Sequence, residues 1–260
     1  MDLGLRGRVA VVTGGSSGIG LATARVLLEE GMAVAICARN PQRLEQARQA
    51  LSACGDVLAY PCDILDTAAV AGLLAAVSDW QGRCDLLVNN AGQGRVSTFA
   101  DTTDAAWEEE LKLKFFSQIN TTRAFAPMLA GSGQGAIVAV NSLLAYQPEA
   151  HMVCTSAARA GVQNLLKSLA GEFAPAIRVN SVVVGLIESG QWERRFQARE
   201  DRALSREQWL ADLAHSKKIP LGRLGLPQEV ARAIAFLGSP AASFVTGTQI
   251  EVSGGLSRHI

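Results

Sequence analysis

Short apolar runs alternate along this chain with longer stretches whose apolar residues recur at helical spacing. The runs at 9–12, 137–140 and 182–184 are typical of strands covered on both faces. The pattern predicts strands near 8–13, 33–38, 56–62, 85–89, 136–141, 177–184 and 248–252, and helices over 18–30, 41–53, 66–80, 104–130, 154–173 and 227–238. Residues 1–260 are therefore expected to form a single α/β domain, doubly wound around a parallel seven-stranded sheet flanked by helices.

The alternation breaks between residues 189 and 220, where the chain is long, charged and rich in aromatic residues. The segment contains Trp192, Arg194, Arg195, Phe196, Arg199 and Trp209. A long excursion beyond the carboxyl end of a strand is a candidate substrate lid. The alternative is a solvated helical flap whose Glu and Arg side chains stand at pairing distance.

Composition excludes several classes of function. Lys plus Arg and Asp plus Glu both total 24, which argues against a nucleic-acid binder that relies on a basic surface. The five cysteines have no CxxC spacing and indicate reduced thiols in a cytoplasmic protein, with neither a disulfide framework nor a metal site. No signal-peptide layout and no apolar run of roughly 20 residues is present, so no membrane association is expected.

Residues 13–20, which read Thr-Gly-Gly-Ser-Ser-Gly-Ile-Gly, lie between the first predicted strand and the first predicted helix. Glycines let the backbone approach a ligand closely, and the helix N-terminus offers free N–H groups and partial positive charge. This arrangement holds the pyrophosphate of a dinucleotide in α/β folds. The residues predicted to bind the cofactor here are Gly14, Ser16, Ser17, Gly18, Ile19 and Gly20.

The end of the second predicted strand indicates which dinucleotide is bound. A carboxylate at this place binds the ribose 2′-hydroxyl of NAD, whereas an arginine accommodates a 2′-phosphate. The chain has Arg39 there and no acid. NADP(H) is therefore favoured over NAD(H), the alternative being that Arg39 is merely exposed.

Two further strand ends carry candidate cofactor contacts. Asp63, followed by Ile64, could accept a hydrogen bond from the adenine amine or simply introduce the next helix. The Asn-Asn-Ala-Gly at 89–92 ends the fourth strand, and its small residues would let backbone lie against the cofactor. Asn90, Ala91 and Gly92 are predicted cofactor contacts.

With these motifs the chain resembles the short-chain dehydrogenase/reductase family over nearly its whole length. The resemblance extends through 141–142, 177–181, 219–225 and 253–255. It implies a Rossmann-type fold, an NAD(P)(H) cofactor, hydride transfer to or from a small carbonyl or alcohol, and a homodimer or homotetramer. It also implies that Ile187 and Ser189 contact the nicotinamide carboxamide, although Val184 stands where the family usually has proline.

The family's catalytic residues are largely absent. Ser142 matches the family's serine, but Thr155 stands in place of tyrosine, Arg159 in place of lysine and Lys114 in place of asparagine. Threonine is a far weaker acid than a phenol, and arginine stays protonated, so it cannot pass a proton as lysine does. Arg159 can still donate hydrogen bonds to the nicotinamide ribose, which makes it a cofactor contact as well as a catalytic candidate.

Helical spacing places the replacements on two faces. Lys114 shares a face with Trp107 and Leu111, and Arg159 shares one with Thr155, Val162 and Leu166. Two cations turned towards one cleft disfavour each other's protonated form, and only lysine can respond by losing its proton. The pKa of Lys114 is therefore expected to be lowered.

Three hypotheses for the chemistry remain open. Lys114 acts as the surrogate proton donor, or Lys114 and Arg159 bind an anionic group of the substrate, or a displaced donor is used. Tyr146 and His151 are the candidates for the displaced donor, and pocket-wall packing and a plain loop histidine are their alternatives. Cys154, near a helix start, is either a reactive thiol or a small hydrophobe.

The main functional interpretation is an NADP(H)-dependent oxidoreductase that reduces a carbonyl or an activated double bond with an atypical active site. One alternative is an NADP(H)-binding sensor or scaffold without redox turnover. Another is non-redox chemistry, such as elimination or cyclisation, in the same pocket. The basic, tryptophan-bearing segment at 189–220 favours an acidic or acyl-carrier substrate.

Overall fold

The computed structural model describes residues 2–199 and 202–258 and contains one seven-stranded, all-parallel sheet in the order β3-β2-β1-β4-β5-β6-β7. The strands are β1 Val9–Thr13, β2 Ala33–Ala38, β3 Val57–Pro61, β4 Leu86–Asn89, β5 Gly135–Ser142, β6 Ile177–Val184 and β7 Gln249–Val252. From the middle of the sheet, strands β1 to β3 follow one another towards one edge and strands β4 to β7 towards the other. This change of direction is that of a doubly wound fold. The predicted fold class is confirmed.

Within residues 2–199 and 202–258, eight α-helices connect and flank these strands. They are α1 Gly18–Glu29, α2 Pro41–Leu51, α3 Thr67–Gln81, α4 Asp104–Gly131, α5 Val153–Phe173, α6 Gly190–Gln197, α7 Arg206–Ser216 and α8 Pro227–Gly238. The six helices predicted from the sequence are present, with ends that differ by a few residues at most. Helices α6 and α7 occupy the segment that breaks the alternation, and residues 200 and 201 between them lie outside the described part of the chain.

Side chains alternate across the sheet into two hydrophobic cores. Ala10 and Val12 of β1 join the core beneath α1 and α8, whereas Val9 and Val11 join the core beneath α3, α4 and α5. Because both faces are covered, a strand needs apolar residues at every position, which explains the continuous runs. In the parts of the chain that the structure describes, no helix is long and apolar enough to cross a membrane.

Candidate active site

A cavity of about 1000 Å³ runs across the carboxyl ends of the strands. At one end it is bounded by the turn after β1 and by Arg39, and at the other by Ser142, Arg159 and the start of α6. One continuous cleft therefore contains the predicted nucleotide contacts and most of the predicted catalytic residues. Such a cleft at the switch point of a doubly wound sheet is where this architecture binds ligands.

The turn between β1 and α1 is fastened to the end of β4. Thr13 Oγ1 accepts the backbone N–H groups of Asn90 and Ala91, both at 3.0 Å, and Asn90 Nδ2 donates to Thr13 O at 2.9 Å. Ser17 begins α1 without a side-chain capping bond, which leaves the first-turn N–H groups free for an anion. The turn is thus fixed by hydrogen bonds and lines the cavity with the N-terminus of α1, an arrangement that suits an anion.

Glycines in this turn serve two purposes. Gly18 has a φ of +55°, and an added Cβ would meet nothing within 4 Å because the position faces open space. Gly20, by contrast, does not line the cavity: a Cβ there would lie 2.3 Å from Gly14 O and 2.5 Å from Asn90 Nδ2. Gly20 allows α1 to pack closely against the turn, and the cofactor contact expected of it remains a prediction.

The remaining predicted cofactor contacts all line the cavity. They are Gly14, Ser16, Ser17, Gly18, Ile19, Arg39, Asp63, Ile64, Asn90, Ala91, Gly92, Arg159, Ile187 and Ser189. Asp63 lines the cavity, and its Oδ1 accepts the N–H of Leu65 at 3.0 Å in the loop before α3, whose N-cap is Asp66. Its hydrogen bond to the adenine amine remains a prediction. Arg43 lies on the same wall as Arg39, on the first turn of α2 that Asn40 caps, and the sequence reasoning missed it.

Arg159 lies on the cavity wall opposite the glycine turn. Its Nη1 donates to Val140 O at 2.9 Å, whereas its buried Nε has no hydrogen-bond partner. Burial lowers the pKa of the guanidinium to about 10, so it remains a cation at neutral pH. Ser142 lines the same wall, and its Oγ accepts the N–H of Leu144 at 3.3 Å. The wall therefore presents an unpaired donor beside a hydroxyl.

Lys114 is buried at 3% exposure and does not itself line the cavity. Its Nζ forms an ion pair with Glu110 Oε1 at 2.8 Å and donates to the carbonyl of Gln93. Burial and, second, the Arg159 cation lower the pKa of Lys114 to about 8, against the opposing effect of Glu110. The expected direction of the shift is confirmed, but the expectation that Lys114 faces the cleft is wrong, because Glu110 and Gln93 hold the ammonium behind the wall.

Thr155 links this buried pair to the cavity. Its Oγ1 donates to Glu110 Oε1 at 2.5 Å and accepts the N–H of Arg95 at 2.9 Å, and its side chain lines the cavity. Thr155, Arg159, Val162 and Leu166 share one face of α5, as predicted. On α4 the predicted buried face, which included Leu111, is wrong. Leu111 is exposed, whereas Glu110, one residue earlier, is buried with Lys114.

Sequence reasoning missed Glu110 altogether. A usable signal exists, because Glu110 stands four residues before Lys114, the spacing of an intrahelical ion pair. It is obscured by Glu108 and Glu109, which precede it and are exposed.

The two candidates for a displaced proton donor differ in position. Tyr146 follows the short 3₁₀ turn Leu143–Ala145, is 38% exposed and is not among the residues that line the cavity. Partial burial raises the pKa of its phenol. His151 does line the cavity, with Nε2 3.2 Å from Glu149 Oε2. Cys154 is fully buried and its Sγ lies 3.5 Å from Ser97 Oγ, which is the environment of a small core residue.

Helices α6 and α7 pack on each other, and α6 lines the end of the cavity away from Arg39. The rings of Trp192 and Trp209 are 6.3 Å apart, and Arg195 stacks over Trp192 with Cζ 4.9 Å from the ring centroid. Arg206 bridges Glu188 at 2.8 Å and Glu193 at 2.9 Å. The segment thus combines the two predicted features: pairing of Glu and Arg on one side, and Trp192 and Arg195 lining the cavity on the other.

The chain is similar to known proteins that are described as reductases. A family model described as enoyl-(acyl carrier protein) reductase matches residues 14–257. The chain is 33% identical to a 3-oxoacyl-[acyl-carrier-protein] reductase, FabG, of Vibrio cholerae, over 98% of this chain and 99% of that protein.

Two solved proteins are similar over almost their full lengths. A short-chain oxidoreductase of Pseudomonas aeruginosa, described as containing an atypical catalytic centre, is 60% identical in its apo form, with a TM-score of 0.95 over 97% of this chain and 98% of that one. Its NADPH-bound structure has a TM-score of 0.91 at 59% identity, with the same coverage. L-sorbose reductase of Gluconobacter frateurii, complexed with NADPH and L-sorbose, is 31% identical with a TM-score of 0.95 over 100% of both chains.

Proposed function

The chain belongs to the short-chain dehydrogenase/reductase family, and from this premise we propose that it is an NADP(H)-dependent reductase with an atypical set of catalytic residues. Its substrate is a small molecule with a carbonyl group or an activated carbon–carbon double bond. The observation that carries the proposal is the single cavity that joins the glycine turn and Arg39 to Ser142 and Arg159. A dinucleotide and a substrate can meet in such a cavity.

The residues present fit a nicotinamide dinucleotide. Gly18 leaves open space beside the first-turn N–H groups of α1, and the buried Nε of Arg159 has no partner within the protein. Buried donors are rarely left unpaired, so a ligand oxygen is the natural partner for this Nε. When bound, the reduced cofactor supplies the hydride.

Preference for NADP(H) over NAD(H) rests on the adenosine end of the cavity. Arg39 and Arg43 both line it, and guanidinium groups form strong, charge-assisted hydrogen bonds with a phosphate. The NADPH-bound structures of the P. aeruginosa oxidoreductase and of L-sorbose reductase support the same choice.

The protein's own groups divide the chemistry between them. Ser142 Oγ hydrogen-bonds the oxygen of a substrate carbonyl, a role supported by the position of Ser142 in the cavity lining. Arg159 stays charged and stabilises negative charge that develops on that oxygen, while its Nε orients the cofactor's ribose. Lys114 is the proton source, since a buried amine with a pKa of about 8 can donate near neutral pH.

The three hypotheses for the chemistry predict different effects of substitutions. Lys114→Met lowers turnover if Lys114 supplies the proton, and weakens only charged substrates if Lys114 and Arg159 bind an anion. Tyr146→Phe and His151→Gln lower turnover only if the donor is displaced, and His151 is the better placed of the two because it lines the cavity.

The substrate end of the cavity favours an acidic substrate. Trp192, Arg195 and Lys217 line it, and of these Lys217 has a carboxylate partner, Glu149, at 3.6 Å. A carboxylate or an acyl thioester with an acidic carrier would be attracted by Arg195. We propose that α6, α7 and their connections, residues 189–220, act as the lid over this substrate.

A homodimer or homotetramer is the expected assembly, and light scattering on the purified protein would measure it. A cytoplasmic location suits the five free cysteines, which need a reducing compartment.

The decisive experiment measures NADPH consumption by absorbance with a panel of ketones, quinones, imines and enoyl thioesters. Binding of NADPH and NADH is titrated in parallel on the same preparation. Consumption with any member of the panel supports a reductase. Tight NADPH binding with no consumption would favour a sensor, a scaffold or non-redox chemistry instead.

A further inference from the structure

One carboxylate oxygen joins two groups that lie at different depths in the protein. Glu110 Oε1 is 2.8 Å from Lys114 Nζ and 2.5 Å from Thr155 Oγ1. All three residues are at most 3% exposed, but only Thr155 reaches the cavity wall. Lys114 is therefore connected to the cavity through two consecutive short hydrogen bonds that share one oxygen.

The segment after β4 keeps this chain of hydrogen bonds in register. The N–H of Arg95 donates to Thr155 Oγ1 at 2.9 Å, and the carbonyl of Gln93 accepts from Lys114 Nζ. Both ends of the connection are thus fixed by backbone groups of one short stretch. Neither the ammonium nor the hydroxyl depends on a mobile side chain for its position.

The charges around Lys114 suit the donation of a proton. Arg159 and Cys154 face it from α5, and Glu110 faces it from its own helix. Burial and Arg159 make the ammonium a stronger acid than an ordinary lysine, while Glu110 keeps it protonated near neutral pH. Two cations, Lys114 and Arg159, stand beside one carboxylate, Glu110. This excess of positive charge favours negative charge that develops in the adjacent cavity.

We propose that Glu110 is a positioning residue that, with Lys114 and Thr155, forms a proton relay to the substrate. The inference rests on the proposed reductase function. Once the substrate carbonyl carbon has accepted a hydride, the Thr155 hydroxyl turns from Glu110 Oε1 to the substrate alkoxide and gives it a proton. Lys114 Nζ gives a proton to the ionised Oε1, which passes it on to Oγ1. The transfer leaves Lys114 as a neutral amine, which solvent reprotonates between turnovers.

This relay removes the objection to threonine as an acid. A hydroxyl that receives a proton while it gives one never carries a net charge, so its own very weak acidity does not limit the rate. The acid whose strength matters is Lys114. Thr155, the member of the three that lines the cavity, contributes only the oxygen that passes the proton on.

The first test compares Thr155→Val with Thr155→Ser. Valine keeps the shape and removes the relay oxygen, whereas serine retains it. We expect kcat for ketone reduction to fall about 100-fold in Thr155→Val, within the range of general acid–base catalysis, with NADPH affinity unchanged. We expect Thr155→Ser, which keeps the relay oxygen, to recover most of the kcat that Thr155→Val loses and to keep the solvent deuterium isotope effect on kcat. A Thr155→Val enzyme with wild-type kcat and isotope effect would overturn the relay.

The second test needs no turnover. The chain has five lysines, so ¹³C-labelled lysine gives few signals, and Lys114→Met identifies the one from Lys114. Its pKa should fall from about 8 in Glu110→Gln, because Glu110 is the group that raises it. Glu110→Asp should restore part of the shift, and Glu108→Gln, a charge change at an exposed position of the same helix, should leave it unchanged.

The outcomes separate the two proposals. A Lys114 signal that titrates identically in wild type and Glu110→Gln overturns the relay whatever the activity. Absence of NADPH consumption by the wild type with every substrate overturns the proposed function, whereas turnover that survives Thr155→Val overturns the relay alone. A Lys114 pKa that is lower in Glu110→Gln than in the wild type, together with loss of kcat in Thr155→Val, supports both the relay and the proposed function.

Discussion

Replacing Glu110 by Gln should destabilise the protein by an amount that depends on pH in a calculable way. In the wild type the pKa of Lys114 is about 8, already lowered from 10.5 by burial and Arg159. The glutamine removes the one carboxylate that opposes this lowering, so the Lys114 pKa in the variant falls further. Below pH 8 the folded wild type binds a proton that the folded variant tends to release, whereas the two unfolded chains are alike at Lys114.

The size of the penalty follows from linkage. The wild type has a higher free energy of unfolding than the variant, and this difference grows by at most about 1.4 kcal/mol for each pH unit below about 8. It stops growing once the pH reaches the Lys114 pKa of the variant. The electrostatic difference should therefore be near zero at pH 9, about 1 kcal/mol at pH 7 and up to about 3 kcal/mol at pH 6. Burial of both side chains justifies this magnitude, since an exposed ion pair contributes far less.

Urea unfolding at these pH values, followed by circular dichroism, would measure the difference. Glu108→Gln is the matched control, because it removes the same charge from an exposed position of α4 and should show no such trend. A Glu110→Gln penalty that is equal at pH 6 and pH 9 would refute the reasoning, as would the same trend in Glu108→Gln.

Further variants test other parts of the molecule. Arg39→Ala should weaken NADPH binding about 10- to 100-fold, from loss of one or two charge-assisted hydrogen bonds, with NADH binding little changed in calorimetric titrations. Gly20→Ala should lower the thermal midpoint and NADPH affinity, because its Cβ would overlap Gly14 O, whereas Gly171→Ala, with nothing within 4 Å, should be neutral or stabilising. Arg195→Ala should raise KM for an acidic substrate and leave that of a neutral one unchanged, as initial rates would show.

Much of the fold and of the nucleotide end could be predicted because the controlling physics is local. Valine-rich runs with no polar face require burial on both sides, which leads to a parallel sheet between two helical layers. The glycine turn requires particular backbone conformations at fixed positions, and Gly18 has the positive φ that this implies. The sequence pattern cannot distinguish a glycine needed for close packing, such as Gly20, from one that contacts a ligand.

The catalytic end depended on tertiary structure, and α4 shows why. The residues buried along this helix are mostly polar, among them Glu110, Lys114, Ser117 and Thr121. A hydrophobic pattern therefore sets the wrong phase and places Leu111 inside, although one residue turns a helix by about 100°. The sequence by itself predicted that a lysine and an arginine stand near one cleft, where the family resemblance leads us to expect asparagine and lysine. Three consecutive glutamates precede Leu111, and only the packing of α4 against α5 and residues 93–95 decided that Glu110 joins Lys114 to Thr155. The physical reason is that burial of a charge depends on the partners that meet it in space.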